Sequence, residues 1–472
     1  MKNNLLKSAL LCVIALMPTY LFAQDWVAKM QNPEVNFYDV QKEFNKYYQQ
    51  KKAENDKEKA SKPWIKRLFN PEKGEESEIS GYTQYKRWEW FMLPRVGPAG
   101  ERFNPAQAWM EMAQYKKQFN SLMGAGNWTF IGPTFTNALA GAGRINFVRI
   151  DPNNSNVLYI GSPSGGLWKS TDGGNSWSTN TDLLNHVIGC TDIAIDPNNS
   201  NIMYLATGDG DAGDNYSVGL LKTTDGGVTW NQTGLSFSMG NYRMMSKVLI
   251  DPANSNTILV ATSAGIWRST DAAATFTKVQ VGSFKDMEFK PGDPNTIYTC
   301  GGEFYKSTDN GQTWTKTTSG LPVVANVSRM AISVSPADAN IIYMIVGLPA
   351  PNYGTEGFYK STNSGASFTK IGTPNIGTQQ WYDLAIATSP TNAQEVILGG
   401  QTQFLRSTNG GGNWNNAGGN THVDYHDIVF VNSTTFYVTS DGGVYRTTNN
   451  GSSYTNLNNN LAISQMYGFG QS

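Results

Sequence analysis

Cysteine and histidine are nearly absent: the 472 residues hold three of each. A disulfide framework, a zinc ribbon and CxxC redox chemistry are therefore excluded. Charge of one sign is missing too. With 36 Lys+Arg against 37 Asp+Glu, the net charge of −1 leaves no basic field, so no nucleic-acid partner is expected. Beyond the N-terminus no apolar run reaches the ~20 residues that a membrane span needs, so no transmembrane segment is expected. What is present is glycine, 48 residues of it, and a 12% share of aromatics. That balance excludes disordered and collagen-like chains and points to a turn-rich globular protein.

Residues 1–23 read as a secretory signal peptide. Lys2 and Lys7 form its positive start, Leu10 to Met17 its apolar stretch, and Leu21-Phe22-Ala23 a cleavage site. Export machinery is thus an expected partner, and the mature chain is expected to be secreted or held at the cell surface. Cys190 and Cys300 fall in different repeats and are expected to be buried thiols rather than a disulfide.

Residues 24–125 form an arm that is richer in charge than the rest. Phe37, Val40, Phe44 and Tyr47 recur at helical spacing, and Trp109, Met112, Ala113 and Phe119 predict a second helix. The charged stretch Lys51 to Glu78 reads as a loop between them. A dense aromatic run, Tyr85 to Met92, reads as an anchor, with Trp88, Trp90 and Trp109 expected to dock the arm on the next domain.

Residues 126–472 repeat. Seven copies of S/T-x-D/N-x-G-x-x-aromatic begin at Ser170, Thr223, Ser269, Ser307, Ser361, Ser407 and Thr447, about 46 residues apart, a period of propellers and solenoids. Their third positions are Asp172, Asp225, Asp271, Asp309, Asn363, Asn409 and Asn449. The Asp or Asn oxygen can accept backbone N–H groups inside a hairpin turn. The glycine supplies positive φ, and Ala273 in its place predicts a strained or altered third turn. Each box follows a strand ending in Lys or Arg, and an Asp-Pro turn such as Asp151-Pro152 lies earlier in the repeat. Four strands per repeat make a propeller blade, so the chain is expected to be all-β, a propeller of seven four-stranded blades. Ile463 onward reads as the first strand of an eighth, truncated blade.

These boxes resemble those of the Asp-box, or BNR-repeat, β-propellers, and most of all the group holding the sortilin N-terminal domain and the xyloglucanase-type glycoside hydrolases. The arm resembles the leader of secreted Bacteroidetes-type surface propellers, many of which use type IX secretion. The resemblance implies either a sialidase, a glycan hydrolase, a peptide receptor or a non-catalytic binder. A sialidase needs three converging arginines, and outside the boxes only Arg144, Arg149, Arg243 and Arg329 remain in the propeller. A xyloglucanase-like enzyme needs two carboxylates and, in the family, a cleft between two propellers, of which this chain holds one. Asp192, Asp286, Asp383 and Asp427 recur at the start of the innermost strands and read as strand-edge residues. No catalytic pair can be named.

Two clusters stand apart from the repeat. In His422-Val-Asp424-Tyr-His426-Asp427, period 2 puts His422, Asp424 and His426 on one strand face, beside Asp441. They are candidates for ligand binding, of a glycan or peptide, or for a divalent cation. The second, Asp209-Gly-Asp211-Ala-Gly-Asp214, is an oxygen-rich loop of the kind that suits Ca²⁺, though no bidentate Glu follows. No other cofactor is implied. The favoured reading is an exported, non-catalytic binding or adhesion propeller. A xyloglucanase-like hydrolase, or a fragment of one, is the alternative, and a sortilin-like peptide receptor the third.

Overall fold

The computed structural model describes residues 25–32, 34–61, 79, 81–102, 141–184 and 189–464. The signal peptide, the helix expected around Trp109 and residues 465–472 lie outside them. The chain divides into two compact units, Met1–Met110 and Glu111–Ser472.

Helices Asp25–Gln31, Phe37–Ser61 and Tyr82–Met92 form the described part of the first unit. The second helix runs eleven residues, 51 to 61, into the stretch expected to be a loop. Its Lys, Glu, Gln and Ala residues are good helix formers, and Lys51 reaches Glu54 one turn on, at 2.7 Å. An aromatic core joins the three: Phe44 stacks on Tyr85 with ring centroids 3.6 Å apart, and the edge of Trp26 meets both. The Tyr85–Met92 run is thus a helix that serves its own unit first. Trp88 stacks on Phe37, whereas Trp90 stands exposed.

In the second unit, seven four-stranded antiparallel sheets follow in chain order, and in each the strands pair in sequence order. This is a seven-bladed β-propeller. The innermost strands are Phe147–Asp151, Cys190–Ile195, Met245–Ile250, Phe284–Lys290, Arg329–Val334, Ala385–Thr388 and Tyr425–Phe430, for blades 1 to 7. Blades stack face to face, so a second strand is covered on both sides. Met203–Thr207, Ile258–Thr262, Ile342–Gly347, Val396–Gly399 and Phe436–Ser440 are buried at every residue, which explains their near-continuous apolar runs. The ring closes with seven blades. Ile463, expected to open an eighth, instead packs beside Leu461 into the core between blades 7 and 1 with Trp177 and Tyr437.

Each box joins the third and fourth strands of its blade. In the first, the Ser170 hydroxyl donates to Asp172 Oδ1 at 2.7 Å and accepts from the Gly174 N–H. Asp172 also accepts from the backbone and hydroxyl of Ser176. The hydroxyl-to-Asp/Asn bond recurs in all seven, with Asn363, Asn409 and Asn449 keeping the acceptor. Ala273 adopts φ 71° where Gly174 adopts 89°, so the third turn keeps its shape and carries the strain, about 1–2 kcal/mol for an L-residue. The basic residue before most boxes reaches the box of the next blade. Lys169 donates to the Gly226 carbonyl, Lys222 to Ala272, Arg268 to Asn310, Lys306 to Ser364, and Arg446, across the closure, to Gly173. These side chains are lateral staples rather than a solvated rim.

Cys190 and Cys300 are buried and form no disulfide, each inside a different blade interface, as expected. Among the described residues no helix is long and apolar enough to cross a membrane.

Candidate functional site

The inner strands surround an axial channel of about 530 Å³, lined from all seven blades. Three of those strands carry a bulge at their first turn, where one residue is left over in the ladder: Thr191, Lys285 and His426. The aspartate after each bulge does the same job. Asp192 accepts from the N–H of Val248, Asp286 from Ile332 and Asp427 from Val148, each in the next blade's inner strand. Arg149 bridges Asp192 and Asp427 at 2.6 and 2.5 Å. These three aspartates are therefore inter-blade joints, and Asp286 and Asp427 line the channel as well.

The bulged residues point instead at the Asp209–Asp214 loop. Thr191 accepts from the Gly210 N–H, Lys285 donates to the Gly210 carbonyl, and His426 Nδ1 meets Asp211 Oδ2 at 3.0 Å. Asp211 also pairs with Arg329 at 2.8 Å, and Asp209 with the buried Arg144 at 2.5 Å. Asp214 lies 3.5 Å from Arg144. The loop expected to wrap a calcium ion thus presents its carboxylates to cationic side chains. Among the described residues no group of three His, Cys, Asp or Glu side chains is arranged to hold a metal. Burial would raise the Asp211 pKa, but Arg329 and His426 outweigh it and hold the carboxyl far below the ordinary range. Lys285, desolvated and beside Arg329, is pushed down to about 8.

The two clusters that looked separate in the sequence meet here. His426 Nε2 faces Asp441 Oδ1 at 2.9 Å, so its ring lies between Asp211 and Asp441. Burial opposes its charge, but the two carboxylates win and raise its pKa. Tyr382 donates to Asp441 at 2.8 Å, and Arg144 lies 5.2 Å from the Tyr382 ring centroid. Despite its burial, Asp441 is held ionised by the hydrogen bonds from His426 and Tyr382. The backbone N–H of Asp441 donates to the Asp424 carbonyl at 3.1 Å, which seats the two acids side by side.

Asp424 lies beside Asp383, close enough for each carboxyl to bear on the other's charge. Asp383 is fully buried, and no cationic side chain contacts it; burial and the Asp424 carboxyl push its pKa up to about 10. Asp424 is raised as well, chiefly by burial. At neutral pH this pair keeps a proton, while Asp441 next to it has none. Neighbouring carboxyls with pKa values driven apart are what general acid–base chemistry requires.

The expectation that His422, Asp424 and His426 share one strand face does not hold. The strand begins only at Tyr425, Asp424 sits at φ 61°, and His426 is the bulged residue. His422 stays in the connection before the strand, packed against Gly442. A sialidase-type arginine triad is absent as well among the described residues. Arg144, Arg149 and Arg329 are each matched to the protein's own aspartates. The sequence reading missed Arg144, Arg329 and Tyr382 as parts of the site and took Asp383 for a strand edge. One signal was available: Thr191-Asp192, Lys285-Asp286 and His426-Asp427 occupy equivalent places in their blades, so the residue before each aspartate had to differ in role from it.

No protein-family model matches the chain. Among curated proteins it is similar to a xyloglucanase of Hypocrea jecorina, 27% identical over 243 residues, 49% of this chain and 26% of that protein. It is similar also to a xyloglucanase of Paenibacillus sp, 26% identical over 275 residues, with the same two shares. The matches thus span about a quarter of the length of these relatives. Among solved structures, the GH74 xyloglucanase of Xanthomonas campestris aligns with a TM-score of 0.53 at 18% identity, over 67% of this chain and 53% of that one. The GH74 enzyme of Niastella koreensis gives 0.52 at 22%, over 68% and 54%. Those structural likenesses carry the fold. The chain is a seven-bladed β-propeller whose curated sequence relatives are xyloglucanases, which favours the hydrolase alternative over the non-catalytic adhesion reading.

Proposed function

We propose that the chain is a glycoside hydrolase of the xyloglucanase kind, or a propeller from one, acting on a β-linked glucan. The observation that carries this is the 26–27% identity to two curated xyloglucanases over half of the chain. The site supplies chemistry that fits. Asp424, sharing a proton with Asp383, can protonate a glycosidic oxygen as general acid. Asp441, ionised under Tyr382 and His426, can act as the base or as the carboxylate that stabilises an oxocarbenium-like transition state. His426 and Tyr382 orient Asp441; Asp211, Arg329 and Arg144 hold those two in place. Export through the signal peptide, as in secreted Asp-box propellers, belongs to the same proposal, because a polysaccharide substrate lies outside the cell. The reading needs no calcium ion in the Asp209–Asp214 loop.

The experiment is reducing-sugar release from xyloglucan and mixed-linkage glucan by the wild type and by Asp424→Asn and Asp441→Asn. Each variant is expected to lose at least a hundred-fold in kcat, the scale of one general acid or base. Binding with no release by the wild type would return the non-catalytic reading, and neither binding nor release would overturn the glucan.

A further inference from the structure

His426 is the one buried histidine among the described residues, and its ring has a carboxylate at each nitrogen. Nδ1 faces Asp211 Oδ2 at 3.0 Å, and Nε2 faces Asp441 Oδ1 at 2.9 Å. An ionised carboxylate only accepts hydrogen bonds, and a neutral imidazole carries a single N–H. A neutral ring therefore satisfies one of these contacts and turns a lone pair toward the other. The imidazolium, with an N–H on each nitrogen, fits both.

The two carboxylates do not need the ring equally. Asp211 lies in the loop between the second and third strands of blade 2. It has Arg329 at 2.8 Å, and the Lys285 ammonium stands nearby on the Gly210 carbonyl. Asp441, in blade 7, accepts from the Tyr382 hydroxyl at 2.8 Å, and among the described residues His426 is the one cation in contact with it. Arg144 acts on Asp441 from further off and is itself committed to Asp209 at 2.5 Å. The Asp214 and Asp424 carboxyls add negative charge on this side, and the edge of the Tyr382 ring meets the imidazole with centroids 4.9 Å apart. The ring thus has cations behind its Nδ1 partner and mostly carboxyls around its Nε2 partner. Arg329 and Lys285 repel a proton on Nδ1, and Asp211 keeps Arg329 when that proton goes. Asp441 has no such substitute and holds the proton on Nε2.

We propose that His426 is a proton-operated clamp: as imidazolium it ties the Asp209–Asp214 loop of blade 2 to Asp441 of blade 7, and loss of the Nδ1 proton to solvent releases the loop while Nε2–H stays on Asp441. Once released, Nδ1 turns its lone pair on Asp211, and the loop is left to Arg144, Thr191, Lys285 and Arg329. Asp441 at the same moment loses the neighbouring positive charge that helps to keep it ionised. The sense of the switch follows from the two carboxylates, which raise the ring above its ordinary value. The clamp is closed at neutral pH and below, and opens as pH rises through the folded value. In the glucan reading this titration limits activity on the alkaline side.

The limit on activity rests on that reading, whereas the clamp itself does not, and the test separates them. The full chain is labelled with ¹⁵N, and the ring nitrogens and backbone amides are titrated by NMR. With three histidines in the protein the ring spectrum is simple, and His426→Gln identifies the signal by its loss. Should that variant not fold, Asp211→Asn identifies it by lowering its midpoint. Both nitrogens of His426 are expected to carry protons at neutral pH, with a midpoint above that of a free histidine. Above the midpoint Nδ1 is expected to be bare and Nε2 protonated, and the amide signals of Gly210, Asp211 and Asp214 to shift with the same midpoint. A neutral ring at neutral pH, loss of the Nε2 proton first, or loop amides that ignore the ring would each overturn the clamp. Glucan hydrolysis by the wild type is expected to fall with the ring's midpoint, and His426→Gln to keep a lower kcat without that limb. Hydrolysis whose alkaline limb survives unchanged in His426→Gln would remove the clamp from catalysis. If the wild type hydrolyses no glucan while the spectra behave as expected, the glucan reading falls and the clamp stands.

Discussion

Asp383 and the box aspartates are one residue type under opposite pressures, and pH separates them. Asp383 is buried against another carboxyl and pushed up to about 10. Between the unfolded value near 4 and that figure the folded protein binds the extra proton, so stability falls as pH rises through the window. Asp383→Asn keeps a donor for Asp424 and removes the titration. It is expected to raise the melting temperature at pH 7 and to flatten its decline up to pH 9, while lowering glucan hydrolysis at least ten-fold. A variant that melts lower than the wild type at both pH values would contradict the proton-sharing pair. The box aspartates go the other way. Asp172, Asp225 and Asp271 accept hydrogen bonds from the box Ser/Thr side chains and the turn backbone, which lower them to about 2, and Asp309 is lowered too. Their contribution is complete above the unfolded value near 4 and is lost as pH falls through about 2. Changing all four to Asn, as three natural boxes already have it, should flatten the fall in melting temperature between pH 4 and 2. An unchanged slope would mean that other carboxyls govern acid unfolding.

The Asp209–Asp214 loop is the element on which the candidate site depends. Asp211 is 13% and Arg329 10% exposed, and His426 shares the same carboxylate. Asp211→Ala would leave two buried cations without it, at a cost of about 3 kcal/mol in urea unfolding. The His426 pKa should also drop, measurable by NMR titration of the ring. A loss below about 1 kcal/mol would show the loop to be decoration. Elements of this kind explain what could be read in advance. The boxes were legible because one hydrogen-bond pattern demands Ser/Thr, Asp/Asn and Gly at fixed spacing seven times over. The bulges were not, because a bulge changes the ladder and leaves no composition signal; His426 therefore looked like a strand-face residue. The meeting of Asp211 with His426 was hidden for another reason. The two are separated by 215 positions and come together only because the loop between the second and third strands of blade 2 reaches the first turn of the inner strand of blade 7. The helix through Lys51–Ser61 was missed because a polar helix shows no apolar period, although its propensity is high.

At the scale of the whole propeller, the decisive question is what keeps the ring shut. Every blade is built from four consecutive strands, so among the described residues no strand is exchanged between the first and last blades. Six interfaces join blades that are also covalently continuous. The seventh joins residues some 280 positions apart and must offset that loop-closure entropy with non-covalent contacts alone, among them backbone bonds from the Ala142 N–H to the Gly442 carbonyl and from the Ile145 N–H to the Ser440 carbonyl. Trp177 is its centre. Its indole N–H donates to the Leu457 carbonyl at 2.7 Å, its backbone N–H to Asn460 Oδ1 at 3.0 Å, and Asn460 Nδ2 donates back to its carbonyl at 2.6 Å. Ile145, Leu158, Val444 and Leu461 pack around it. Trp230 is the matched control: the same box position, similarly buried, but at the interface of blades 1 and 2. Either Trp→Ala change should cost about 3–5 kcal/mol as a cavity. The consequences should differ. With Trp230→Ala the continuous chain keeps the interface registered, and urea unfolding stays a single transition. With Trp177→Ala no continuous chain holds the register of blades 1 and 7, so amide exchange should accelerate in those two blades above all and the urea m-value should fall as they open before the rest. Equal m-values and an even spread of exchange in both variants would show that the closure is no weaker than the other six interfaces.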